Sequence, residues 1–309
     1  MMLDAKHKSS YIVGMNKLPI EKRVQILAML CEGSSMRSIS RVCDVSINTV
    51  AKILEDAGSV CMTFHDEKVR KLRCKRVQVD EIWSFCAAKQ KNVPTMKAPV
   101  DFAGDVWTWT ALDADSKLIV SWLVGDRDAV HAEVFMRDVS ARIDQRTQVT
   151  SDGLRLYVEA VDAAFGGFVD YAQLVKAYGQ TSEGQRRYSP PECTGATKVR
   201  ISGRPKPEHI STSYVERSNL TLRMHNRRFT RLTNAFSKKF HSHVNMVALY
   251  TVWYNWIRIH KTLRTTPAMA ANLTTTLMGF EDIVALIDAA APKPGRPKTY
   301  KKRAAIEPN

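Results

Sequence analysis

Between Arg76 and Lys176 the sequence places three extended segments in a row and then alternates helix with strand, an order that few folds accommodate. The first segment, RVQVDEIWSF (76–85), sets Val77, Val79 and Glu81 on one side and Gln78, Asp80 and Ile82 on the other. That is the period of a strand. Val106 to Leu112 and Leu118 to Val124 read as two more, joined by a turn over Asp113 to Ser116 into a hairpin rich in Trp and Val. Asp128 to Ile143 has helical periodicity, Gln148 to Ser151 is a short strand, Leu154 to Phe165 a helix and Phe168 to Lys176 a last strand. The expected product is an α/β fold: a mixed five-stranded sheet flanked by helices, in which ligands gather at strand carboxyl ends.

Charge narrows the partner. Lys and Arg number 46 against 31 Asp and Glu, a formal charge of +15. A polyanion is the first expectation. The surplus is uneven: residues 101–170 carry thirteen acids against six bases, whereas 183–264 carry sixteen bases against four acids. The last 21 residues add six bases and one acid. Such blocks are equally the signature of solvated faces. No stretch reaches the roughly 20 apolar residues of a membrane span, and the first residues lack a signal-peptide core, so a cytoplasmic protein is expected. The six cysteines, with no CxxC pair, read as reduced thiols. Cys61, His65 and Cys74 offer three ligands at irregular spacing, so no zinc site is expected.

Ahead of the strands, Ile20, Val24, Leu27 and Leu30 recur at helical steps after Pro19, and Gly33 ends that helix. Met36 to Val42 reads as a second helix, and Ser46 to Glu55 as a third, with Ser46 as N-cap and Ile47, Val50, Ile53 and Leu54 inward. This is helix-turn-helix spacing, in which Asn48, Thr49 and Lys52 would meet base edges or phosphates; a structural three-helix cap explains the same pattern. Asp44 stands where the turn favours Gly. Ser237 to His260 reads as a core helix, and His241, His243 and His260 as structural or phosphate-facing.

Three acids attract attention. Asp80 sits near the end of a strand that should be central, where a carboxylate is costly to bury without a counterion or metal. Asp152, in TSDG, follows the next buried strand, though a turn residue or N-cap reads the same way. Glu216 opens a basic helix near Ser213, and Ser213 with Glu216 also fits a capping box.

VDEIWSF around Asp80, TSDG around Asp152 and YVERSNLTLRMHNRR around Glu216 resemble, in that order, the three catalytic segments of insertion sequence 1 family transposases. The resemblance covers roughly 17–273 and includes WYNWIRIHKTLRTTPAMAA, similar to the ending of many transposases and integrases. It implies a ribonuclease H-like fold, a metal-binding catalytic triad of Asp80, Asp152 and Glu216, and a pair of Mg2+ or Mn2+ ions held by oxygen ligands. It further implies double-stranded DNA, as element ends and target, and at least a homodimer on that DNA. Ser46, Asn48, Thr49, Lys52, Arg217, Arg223, Arg227, Arg228, Arg231 and Arg296 are the candidate DNA contacts. Arg296, held between Gly295 and Pro297, suits an A·T-rich minor groove; an inert basic tail is the alternative. The chain then divides into an arm (1–16), a helix-turn-helix domain (17–60), a linker (61–75), a catalytic domain (76–273) with an insertion at about 180–210, and a C-terminal helix and basic tail (274–309). The function expected is a DNA transposase that binds terminal inverted repeats and cuts and joins strands. The alternatives are a DNA-binding regulator derived from one, without catalysis, and a nuclease that cuts without joining.

Overall fold

The structure is a computed structural model that describes residues 17–98, 100–179, 193–230 and 234–291; Arg231, Arg296 and the arm 1–16 lie outside these. Strands β1 (Arg76–Cys86), β2 (Gly104–Asp113), β3 (Ile119–Gly125), β4 (Thr147–Asp152), β5 (Val169–Tyr178) and β6 (Cys193–Ser202) form one mixed sheet. Its order is β3-β2-β1-β4-β5-β6, with β1, β4 and β5 parallel and the other pairs antiparallel. The sheet therefore has six strands, not five. β6 lies inside the expected insertion, and its residues are almost all exposed, so no buried alternation marked it as a strand.

Three helices precede the sheet: α1 (Ile20–Cys31), α2 (Met36–Val42) and α3 (Ile47–Lys68). Between α2 and α3 the chain reverses through Asp44 at φ +50, the left-handed conformation that Asp tolerates. Ser40 Oγ closes this turn by donating to the Val45 carbonyl at 2.6 Å, and Ser46 caps α3 by accepting the Thr49 N–H. Helix α3 is twice the expected length. Cys61 and His65 continue its buried face, and Val69, Leu72 and Cys74 are buried beyond it, so 61–75 is not a linker. Ile47, expected inward, is exposed.

The remaining helices are α4 (Ala129–Arg142), α5 (Leu156–Phe165), α6 (Ser213–His225), α7 (Phe240–Val252), α8 (Pro267–Ala270) and α9 (Phe280–Ala290). A π-helical segment, Trp253–Ile257, continues α7. Helix α7 is core, as its apolar pattern requires. It crosses α3 at Gly58, where an added Cβ would stand 2.4 Å from Asn245 Cβ, so only glycine permits that approach. The buried Arg142 side chain, braced within α4 by Asp138 (2.7 Å), ties that helix to α3 through Asp66 (2.8 Å) and the Val69 carbonyl (3.1 Å). One apolar cluster consequently runs from Ile26 and Leu54 through Val77 and Trp109 to Tyr250. Helix α9 returns to α1, fixed by the fork of Arg23 on both Asp288 oxygens at 2.7 and 2.8 Å. Between α1, α3 and the end of α9 lies a groove of about 710 Å³ that Asn48, Thr49 and Lys52 help to line. No helix among the described residues is long and apolar enough to cross a membrane.

Candidate functional site

Strand β1 alternates as its sequence predicts, and each face has its own helices. Gln78 Oε1 accepts the Tyr214 and Val215 N–H groups of α6 at 2.9 and 3.0 Å, Asp80 Oδ2 accepts from Asn219 of α6 at 2.8 Å, and Ser84 Oγ reaches His243 of α7. Glu81 points to the other face, where it accepts from Tyr157 of α5 at 3.1 Å. Gln78 thus satisfies two amides at the open end of α6 and pins that helix over Asp80. Asn219 orients the Asp80 carboxylate and in turn accepts from Thr110 Oγ1 at 3.2 Å.

Asp80 lies in the middle of β1, not near its end. It is nonetheless at the end of β4. The parallel pairing aligns Arg76 with Gln148 and Gln78 with Thr150, and the same offset carries Asp80 to Asp152, the last residue of β4. Beyond Asp152 the chain turns away into α5, stabilised by Asp152 Oδ1 accepting the Leu154 N–H at 2.9 Å. That leaves a gap beside β1 into which side chains from both faces of the sheet converge. Carboxylate oxygens of Asp80, Glu81 and Asp152 there lie within 4.8 Å of one another.

The electrostatics follow. Burial, reinforced by the charges of Glu81, Asp152 and Glu216, pushes the Asp80 carboxyl up to about 7. Burial and Asp152 also raise Glu81, against the opposing pull of Arg127 and Tyr157. The two bonds noted above on Asp80 and Asp152 come from neutral donors, and each carboxylate has further lone-pair sites. A set of hard, anionic oxygens crowded to this degree suits Mg2+ or Mn2+, and these residues fit such an ion.

Glu216 is not a member of the compact group. Its residue is exposed on α6, and its Oε1 accepts from Lys176 of β5 and from Thr212. The capping box with Ser213 does not form: Thr212 is the N-cap, without a side-chain cap bond. Glu81 is the residue that sequence reading passed over. Alternation put it on the face opposite Asp80, and only the early end of β4 brings the two together.

The candidate DNA contacts divide. Ser46, Asn48, Lys52 and Arg217 are exposed, and Thr49 is half-buried; Lys52 pairs with Asp56 at 2.6 Å. Arg223 and Arg227 are half-buried. Arg228 is half-buried as well; it donates to Ser237 Oγ at 3.1 Å, and burial lowers its guanidinium to about 10. His243 is buried between Ser84 and Ser237. A second close group, Asp126, Asp128 and His131, is mostly exposed, and Asp128 there caps α4.

No family model and no curated protein matches the chain. Solved structures do match. The Mos1 transposase paired-end complex with left transposon end is 14% identical over 51% of this chain and 60% of that one, with a TM-score of 0.23. The Mos1 strand transfer complex is 12% identical over 78% and 79%, with a TM-score of 0.22. The piggyBac transposase synaptic complex with hairpin DNA is 9% identical over 72% and 55%, with a TM-score of 0.25. The chain spans about 60% of the length of the first of these.

Proposed function

We propose that the chain is a metal-dependent DNA transposase whose active centre is built on Asp80, Asp152 and Glu216. The observation that carries the reading is the side-by-side placement of Asp80 and Asp152 across β1 and β4, a carboxylate pair in a protein of net charge +15. A basic chain that concentrates acids at one strand gap has a use for them there. Phosphodiester transfer supplies that use, because Mg2+ or Mn2+ ions, when bound, stabilise charge on the entering and leaving oxygens.

The protein's own residues then have distinct tasks. Asp80 and Asp152 are the ligands that the sheet fixes, and Asn219 holds the Asp80 carboxylate in place. Glu216 completes the set by leaving Lys176, whose ammonium is then available to a phosphate. Arg217, Arg223 and Arg227 follow from the same helix and its end as backbone contacts. Helices α2 and α3 act as a helix-turn-helix, with Ser46, Asn48, Thr49 and Lys52 toward DNA, in a unit that extends beyond residue 60 because α3 does. Arg231 and the minor-groove reading of Arg296 belong to the same picture, as does assembly of at least two copies on paired element ends.

The test is incubation of the protein with DNA that flanks its own gene, in Mg2+, beside Asp80→Ala. Cleavage at terminal inverted repeats that the variant lacks supports the reading, and uncut DNA overturns it. Adding a target duplex separates joining from cutting alone.

A further inference from the structure

Glu81 is an enclosed acid beside the site, its side chain 3% exposed, and both its oxygens are occupied. Oε1 accepts from Arg127 Nε and Nη2 at 2.8 and 2.6 Å, and Oε2 accepts from Tyr157. Arg127 differs from it in access. It belongs to the segment between β3 and α4, its side chain is 37% exposed, and its guanidinium lies over the Trp107 ring at 4.8 Å. Solvent, and any anion in it, reaches the arginine but not the carboxylate.

We propose that Arg127 is a phosphate-operated latch: it holds Glu81 out of the metal cage, and a DNA phosphate that takes the guanidinium releases Glu81 as a further oxygen ligand beside Asp80 and Asp152. The inference rests on the metal-site reading above. Its geometry is independent of Glu216. A Glu81 oxygen already lies within 4.8 Å of oxygens of both aspartates, and Mg2+ bonds of about 2.1 Å span about 4.2 Å between opposite ligands. A small side-chain movement therefore closes the cage. The Nε and Nη2 donors that converge on Oε1 suit a phosphate oxygen as well as a carboxylate oxygen, so an arriving phosphate competes for the same pair of N–H groups. The arrangement links substrate binding to ion binding, and the protein would hold its ions firmly only on DNA.

The experiment is titration of the metal-free full chain with Mn2+, free ion being read from its paramagnetic resonance signal. Wild type is compared with Asp80→Ala, Arg127→Ala, Arg127→Gln and Arg127→Ala combined with Glu81→Gln. Expected are weak binding in wild type that Asp80→Ala abolishes, binding about tenfold tighter in both single Arg127 variants, and loss of that gain in the double variant. A short duplex added to wild type should tighten Mn2+ binding similarly, with no further gain in Arg127→Ala. Unchanged affinity in both Arg127 variants, a gain that survives Glu81→Gln, or a duplex without effect on wild type would each overturn the latch while leaving the metal site standing. Absence of Mn2+ binding in wild type, alone and on the duplex, overturns the metal site itself.

Discussion

Asp80 and Asp152 each lie two residues beyond the last paired rung of neighbouring parallel strands, Gln78 with Thr150, and their carboxylate oxygens come within 4.8 Å where one strand stops and the other continues. Their proximity is set by backbone register, so it does not depend on an ion to assemble it. Crowding is the consequence, and it has a measurable signature.

Asp80 is held near pH 7, well above the value of about 3.9 for an unfolded chain. Its contribution to stability is fully present below about pH 4, falls as pH rises toward 7, and stays at its lowest above that. Asp80→Asn should therefore match wild type near pH 4 and exceed it by about 2 kcal/mol or more at pH 8 in chelator, as read from urea unfolding. Added Mg2+ should narrow the difference at pH 8 by stabilising wild type alone.

Glu216 is exposed and its partner Lys176 is only partly buried, a pairing worth less than about 1 kcal/mol. Glu216→Gln should thus leave the unfolding midpoint almost unchanged while lowering metal-dependent cleavage by at least about a hundredfold. A residue that merely closed the first turn of α6 would tolerate Gln too, but its replacement would leave cleavage unchanged.

Arg228 should behave unlike its neighbours. With its guanidinium turned toward Ser237 and Met36, Arg228→Ala should cost about 2 kcal/mol of stability and leave the salt dependence of DNA binding alone. Lys52→Ala should do the reverse, reducing the slope of log affinity against log salt by about one with little change in stability.

Gly58→Val should destabilise the chain by more than about 2 kcal/mol, because α3 and α7 cannot separate without opening the core around Leu54 and Met246. Thermal unfolding measures this. Asp44→Gly, at φ +50, should instead add about 0.5–1 kcal/mol.

The order of strands and helices was legible because each buried face repeats its apolar residues at a fixed period, as Val77 and Val79 or Val50 and Leu54 do. Asp80 and Asp152 could be picked out as acids following buried strand positions. What escaped was whatever depends on where a neighbour stops. Glu81 lies on the wrong face by alternation and joins the aspartates only because β4 is short; β6 lies at an edge, where no buried face imprints a pattern. Arg228 carried the charge of a DNA contact, but its direction depends on Ser237 and Met36, which local sequence does not bring to it.

The Arg23–Asp288 fork has a practical corollary. Lys17 also reaches Asp288, so the first described residue of the chain and the helix that ends at Ala290 share one corner, at the mouth of the groove lined by Asn48, Thr49 and Lys52. Replacing Asp288 would therefore loosen that corner from Lys17 and from Arg23 at once, beside the side chains proposed to face DNA.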